Sequence, residues 1–293
     1  MSDTRVNGNG IPREKDYGSG HDHLDDKLET GAALDRIRTA GSISISPELF
    51  EKLYLSPQNA VKGDLRKTFG NPTPIALVGF LLSLTPLSCM LMGWRGSGGA
   101  GAATLGAYLF FGGLLMIIGG FGEFILGNTF PCVVFMSFGA FWLTYAATLT
   151  PYYNAYGAYS TTGNPADGLT SAGFNASFAF FQLWMGVLCL IYAIVSLRTN
   201  VVFFLIFVIL VPAFGLLAGA FWQIALGNTA LGLQLQVAGG ACTFVVCILG
   251  WYIFAAIMMA STDMPIALPV GDLSTFIRGG SEKMKAKEER YEA

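Results

Sequence analysis

A long segment of this chain carries almost no charge. Of the 293 residues, the stretch 68–262 contains only four formally charged side chains, which are Arg95, Glu123, Asp167 and Arg198. A soluble domain of this size needs charged residues over roughly a quarter of its sequence to keep its surface solvated. The segment therefore belongs inside a lipid bilayer.

Six apolar stretches divide this segment, each near the roughly 20 residues that an α-helix needs to cross the hydrocarbon core. Polar and turn-forming residues separate them. We place the six predicted spans at 74–94, 102–126, 131–150, 174–197, 200–225 and 234–260. The expected fold is an all-α integral membrane protein with six transmembrane helices.

Hydrophilic tails flank the membrane domain, which we place at 69–262. Residues 1–68 are rich in Gly, Asp, Ser and Arg, and most of this tail is expected to be disordered because such a composition cannot offset the entropy of ordering. A short helix is predicted near 46–55. The second tail is 263–293. Lys and Arg concentrate in both tails, which predicts that both termini are cytoplasmic.

The sequence offers no catalytic or metal-binding cluster. The predicted membrane domain lacks His and Lys, and its cysteines do not have metal-ligand spacing. His21 and His23 in the first tail lack a third ligand. Nor does any basic stripe indicate nucleic-acid binding. We therefore expect a non-enzyme with no metal or organic cofactor.

The sequence Asn71-Pro72-Thr73 stands where the chain enters the membrane. Asn before a helix and Pro in its first turn are typical of a helix start. Two interpretations stay open. The first is a plain helix entry, and the second is an anion site at the helix N-terminus, where unpaired N–H groups carry a partial positive charge.

No cation is predicted inside the bilayer, so an anion that entered it would be held by dipoles. The candidates are Asn71, Thr73, Ser83, Gln182, Trp184 and Gln223. Dipoles bind a monovalent anion weakly and let it move together with a proton. This favours a small monovalent anion over a dianion.

Short strings recur in the two halves of the membrane domain. Leu126–Thr129 ends the second span with the sequence LGNT, and Leu226–Thr229 ends the fifth span with the same sequence. Asn71-Pro72 precedes the first span, as Asn164-Pro165 precedes the fourth. Three spans per half would give the halves opposite orientations, a 3+3 inverted repeat as in many secondary transporters. Chance recurrence is the alternative.

Glu123 is the one carboxylate within or at the end of a predicted span. An ionisable group there is a functional candidate, as a coupling or positioning residue, because it is costly to place in lipid. It is equally open that Glu123 caps the loop 127–130 at the interface. Its counterpart in the repeat is Gln223, which keeps the hydrogen bonding without the charge.

Residues Asn71–Phe80 read NPTPIALVGF and resemble the NPAPLGLxGF signature of the acetate uptake transporter family. This family includes bacterial succinate–acetate permeases and fungal ammonia/acetate transport proteins. Gly122-Glu123, Gly127–Phe130 and Ser137–Trp142 match further family motifs in the same order. The resemblance implies a proton-coupled plasma-membrane transporter of acetate and similar small monocarboxylates, assembled as a hexamer with a separate pore in each protomer.

The family narrows each pore with an apolar constriction of Phe, Tyr and Leu. By resemblance these positions fall on Phe80, Phe138 and Leu210, so that a Phe replaces the family's Tyr. The signature also departs from the family at Thr73–Leu77, which reads TPIAL. An all-apolar ring gates by dewetting and disfavours a bare anion more strongly. The departures therefore bear on the substrate more than on the fold.

Two rival functions remain open. A channel for ammonia or for undissociated acid would use the same fold without concentrating its substrate. A membrane sensor or scaffold would instead act through its long N-terminal tail and would lose its function when residues 1–45 are deleted.

Overall fold

The structure is a computed structural model that describes residues 68–273. The predicted short helix at 46–55, the first tail up to residue 67 and the second tail beyond residue 273 lie outside the described residues. All described residues belong to one compact unit. Their secondary structure is helical apart from one isolated antiparallel bridge between Asn200 and Asp272.

Six helices among the described residues are long and apolar enough to cross a bilayer. They are α1 (Thr73–Leu91), α2 (Gly101–Ile125), α3 (Thr129–Leu149), α4 (Ala172–Ser196), α5 (Val201–Ala225) and α6 (Thr229–Ser261). A backbone in hydrocarbon must satisfy its hydrogen bonds internally, so apolar stretches of this length fold as helices. The predicted six-helix fold is confirmed.

The helix ends collect on two faces because the chain reverses direction at every connection. The terminal face holds the start of α1, the α2–α3 turn, the α4–α5 loop and the end of α6. The loop face holds the connections 92–100 and 150–171 and the α5–α6 turn. Helix α1 is the central element, because 67% of its most apolar 18-residue stretch is buried inside the protein. Helix α2 lies at the periphery, with 28% of the corresponding stretch buried.

Helix α2 is irregular, which the hydropathy pattern did not indicate. Its middle, Tyr108–Leu115, is a π-helix, and the chain returns to α-helix at Met116–Ile125. Small residues bring this helix against its neighbours. A Cβ at Gly119 would lie 2.7 Å from the Cβ of Ala76 in α1, and a Cβ at Gly112 would lie 2.4 Å from the Trp142 ring in α3.

The two predicted repeat turns have the same local geometry on opposite faces. Asn128 N–H donates to the Glu123 carbonyl at 2.8 Å, and Asn228 N–H donates to the Gln223 carbonyl at the same distance. The glycine before each Asn has a left-handed backbone, with φ of 75° at Gly127 and 82° at Gly227. A recurring string that folds identically supports an inverted repeat over chance recurrence.

The second Asn-Pro pair differs from the first. Asn71-Pro72 directly precedes α1, whereas Asn164-Pro165 begins a separate 3₁₀ helix, Pro165–Thr170. Helix α4 begins only after it and is capped by Ser171, whose hydroxyl accepts from Phe174 N–H at 3.1 Å. The Asn-Pro correspondence therefore does not extend to the helix start itself.

The described part of the second tail packs on the membrane domain. Residues 263–273 return from the end of α6 along the α4–α5 loop on the terminal face. Val201 N–H donates to the Gly271 carbonyl at 3.0 Å, and Leu273 N–H donates to the Thr199 carbonyl at 2.9 Å. This contact joins two segments about 70 residues apart in sequence, and no local pattern indicates it.

Replacing Gly119 with Ala tests the close packing of α1 and α2. The added methyl group would meet the backbone N of Ala76 at 2.9 Å, and overpacking of this kind costs about 1–3 kcal/mol. We expect a lower melting temperature in detergent. The control is Gly106→Ala in the same helix, where no atom lies within 4 Å and Ala is the better helix former. Equal melting temperatures for the two variants would contradict this packing.

Candidate functional site

Glu123 connects the start of α1 to the α2–α3 turn. The side chain is 1% exposed, and its carboxylate accepts hydrogen bonds from the Thr73 hydroxyl and from Asn128 Nδ2, the latter at 2.6 Å. These contacts fit a residue that organises the turn, and a coupling role for Glu123 stays a prediction.

Thr73, the last residue of the Asn71-Pro72-Thr73 segment, lines a small cavity on the terminal face. Pro72 is the N-cap of α1, and Thr73 N–H, the first of the helix, donates to Asn71 Oδ1 at 2.9 Å. Pro72 packs against Gly122 of α2. We call the adjoining space of about 10 Å³ the terminal cavity. Its lining is Thr73, Phe130, Pro131, Thr199, Asn200 and Phe203.

Phe80, Phe138 and Leu210 all line one cavity in the middle of the bundle, although they come from α1, α3 and α5. This central cavity has a volume of about 30 Å³. The rings of Phe80 and Phe138 meet edge to face with centroids 6.5 Å apart. The rest of its lining is apolar except for Trp142 and Thr243. Whether the three residues form the constriction of a working pore stays a prediction.

A second cavity of about 40 Å³ lies toward the loop face, and we call it the loop-face cavity. It shares four lining residues with the central cavity, so the two spaces adjoin. The shared residues are Leu87, Leu91, Phe141 and Leu217. Gln182, Gln236 and Tyr145 supply the polar groups of the loop-face cavity, and aliphatic and aromatic side chains supply the rest.

Aromatic rings fill the space between the central and the terminal cavities. The Tyr192 ring of α4 lies 6.4 Å from Phe138 and 5.9 Å from Phe130 between centroids. Phe207 continues the cluster at 5.5 Å from Tyr192. The Tyr192 hydroxyl also shares a hydrogen bond of 2.9 Å with Ser137. Phe138 lacks the hydroxyl of the family's Tyr, and the neighbouring Tyr192 ring carries one instead. The sequence alone did not reveal this proximity.

Three other predicted dipole donors lie away from these cavities. Ser83 is buried against α2 and donates to the Ala107 carbonyl at 3.2 Å. Trp184 is 66% exposed on the outer surface of α4. Gln223 accepts from Asn228 Nδ2 at 2.9 Å within its turn. Of the predicted dipole donors, the structure brings Thr73 and Gln182 to a cavity.

The sequence matches the model of the GPR1/FUN34/yaaH family over residues 55–275. The chain belongs to this family. This GPR1/FUN34/yaaH member is 49% identical over 246 residues to protein alcS of Aspergillus fumigatus, which covers 84% of this chain and 90% of the relative. It is 29% identical over 209 residues to acetate transporter protein patA of Aspergillus clavatus, with coverages of 70% and 79%.

A solved structure, that of the bacterial acetate channel SatP, has the same fold. The TM-score is 0.53 at 25% identity, and the match covers 69% of this chain and 99% of that one. The family resemblance predicted from the sequence motifs is confirmed. The GPR1/FUN34/yaaH chain is a multi-pass membrane protein, and its relatives are named as a transporter and a channel, in agreement with a non-enzyme.

Substitutions at Glu123 test its role in holding the turn. Glu123→Ala leaves two buried donors without this acceptor, and we expect a loss of about 2–6 kcal/mol in the free energy of unfolding, at about 1–3 kcal/mol for each donor. Glu123→Gln should cost less, because Gln223 holds the same turn in the second half. The control is Gln223→Ala at the more exposed turn, and thermal unfolding in detergent is the measurement. Equal losses at positions 123 and 223 would contradict a structural role specific to Glu123.

Proposed function

We propose that this protein transports acetate and similar small monocarboxylates across the plasma membrane, through a pathway inside each protomer. The carrying observation is that Phe80, Phe138 and Leu210, taken from the family resemblance, gather around one cavity between the two halves of the bundle. The names of the patA transporter and the SatP channel support acetate as the substrate.

The order of the three cavities supports a continuous route. The loop-face cavity adjoins the central cavity through their shared lining, and the Tyr192 cluster separates the central cavity from the terminal one. The aromatic rings of Phe138, Tyr192 and Phe130 interrupt the route between the central and the terminal cavities. Side chains of the route must therefore move during transport, and this conformation is a closed one.

The chemistry of the central cavity supports coupling to a proton. Its lining is almost wholly apolar, and a bare carboxylate would lose its hydration there without a cation in exchange. A carboxylate that crosses with a proton avoids most of this penalty. We infer that the proton is the coupling ion and that dewetting of the apolar ring closes the route.

The proposal also covers the oligomeric state of the protein, its membrane and its orientation. We infer a hexamer with a pore in each protomer, and cytoplasmic termini in a plasma membrane. The family resemblance supports the hexamer, and the Lys and Arg of both tails support the orientation. Helix α2 presents large exposed side chains such as Phe110, Phe121 and Phe124 to lipid or to a neighbouring protomer.

Uptake into proteoliposomes tests the function. Purified protein should accumulate labelled acetate inside vesicles when an inward proton gradient is imposed, and a protonophore should abolish the accumulation. Empty vesicles give the background for permeation through lipid. Equilibration without accumulation would show that acetate crosses as the anion, without a proton, and would contradict the coupling. No acetate uptake by folded protein would contradict the proposal and favour ammonia or a sensor role.

Leu210→Trp tests the route through the central cavity. Leu210 is 3% exposed, and the larger ring would fill the cavity that it lines. We expect acetate uptake to fall by at least about tenfold, because the apolar constriction is already narrow and the Trp side chain would block it. The control is Leu205→Trp in the same helix, where the side chain is 37% exposed and should tolerate the change. Equal uptake by the two folded variants would place the route elsewhere.

A further inference from the structure

Gln182 carries a buried oxygen whose hydrogen bonding is incomplete. The residue lies on α4 in the lining of the loop-face cavity and is 3% exposed. Its Oε1 has no hydrogen-bond partner within residues 68–273. A buried amide oxygen without a donor costs free energy, and most such oxygens in native proteins are satisfied. The unpartnered Oε1 of Gln182 points to a bound ligand that supplies the missing hydrogen-bond donor.

The other lining residues restrict which ligand fits. Gln236 and Tyr145 are polar, and Gln236 Nε2 donates to the Leu91 carbonyl at 3.4 Å. No formally charged side chain lines this cavity within the described part of the chain. A charged ligand would lose its hydration here without a counter-charge, whereas a small neutral ligand with a few polar atoms would not.

We propose that the Gln182 carboxamide binds the undissociated form of a small monocarboxylic acid in the loop-face cavity, through a pair of hydrogen bonds between amide and carboxyl groups. This proposal rests on the proposed function and adds the form in which the substrate is recognised. It makes Gln182 a specificity-determining residue of the loop-face side.

The two groups are complementary in their donors and acceptors. A primary amide has one carbonyl oxygen and an NH₂ group. The O–H of the acid donates to Gln182 Oε1, and the C=O of the acid accepts from Gln182 Nε2. A carboxylate has acceptors alone, so it would leave Oε1 unsatisfied and place a negative oxygen near it. The amide therefore selects the protonated acid over its anion.

Selection of the protonated acid means that the proton enters the transport route bound to the substrate. A simple carboxylic acid has a pKa near that of a Glu side chain, about 4.3, so most of it is ionised at neutral pH. Binding at Gln182 withdraws the minor neutral form from solution. The proton then travels on the substrate and needs no titratable side chain in the loop-face cavity.

Acetamide is the probe that separates this proposal from simple acetate transport. It has the same size as acetic acid, presents one carbonyl and an N–H donor, and stays neutral at all working pH values. Acetamide should inhibit labelled acetate uptake by native protein in proteoliposomes. Methyl acetate, which has no donor, should not inhibit. Uptake should follow the concentration of undissociated acid when the pH is changed at constant total acetate.

Gln182→Met removes the amide and keeps the length of the side chain. We expect inhibition by acetamide to weaken by about tenfold, which corresponds to about 1.4 kcal/mol, in the variant relative to native protein. The matched control is Gln234→Met on the exposed side of α6, which should behave as native protein does. Gln182→Glu is the second variant if the first does not fold, and its uptake should fall more steeply with rising pH.

The outcomes distinguish the two proposals. If native protein takes up no acetate, the proposed function fails. If it takes up acetate but acetamide does not inhibit, or uptake follows the anion concentration, recognition of the acid by Gln182 is wrong while transport stands. Uptake of methylamine that depends on Gln182, without an effect on acetate, would also overturn it and would indicate an ammonia site.

Discussion

Every polar group that enters hydrocarbon must find its partner inside the protein, and the fold follows from this requirement. The backbone meets it by forming six helices. Most small polar side chains meet it by bonding to the preceding turn of their own helix, as the Ser88 hydroxyl does with the Thr85 carbonyl and the Ser196 hydroxyl with the Ala193 carbonyl. Against this background an amide oxygen such as that of Gln182 is an exception that calls for a functional explanation.

The two sides of α1 are packed by different means. Toward α2, glycines allow the backbones to approach so closely that a single methyl group has no room. Around the cavities, aromatic rings fill the space, as where Phe141 stacks on Phe181 at 5.8 Å. Rings can change rotamer while the helices stay in place. The side of α1 toward α2 therefore acts as a fixed support, and the aromatic side is where the proposed route would open.

Local and periodic features of this protein could be predicted from its sequence. The six spans followed from hydropathy, and the helix start after Asn71-Pro72 and the turn at Gly127 followed from short motifs. Features that depend on contacts between distant segments could not be predicted. The pairing of 263–273 with the α4–α5 loop and the position of Tyr192 beside Phe138 are of this kind. The π-helix in α2 was missed because hydropathy does not distinguish it from an α-helix.

The near-equivalence of the two turns gives Glu123 a significance beyond its own hydrogen bonds. A transporter whose halves were strictly equivalent by inversion would work identically from either side of the membrane. Here the terminal-face turn holds a carboxylate and its mate on the loop face holds the neutral amide of Gln223. Of these two turns, the one on the terminal face therefore carries the side chain that can gain or lose a proton. The two sides of the protein therefore differ in chemistry even where their backbone geometry repeats.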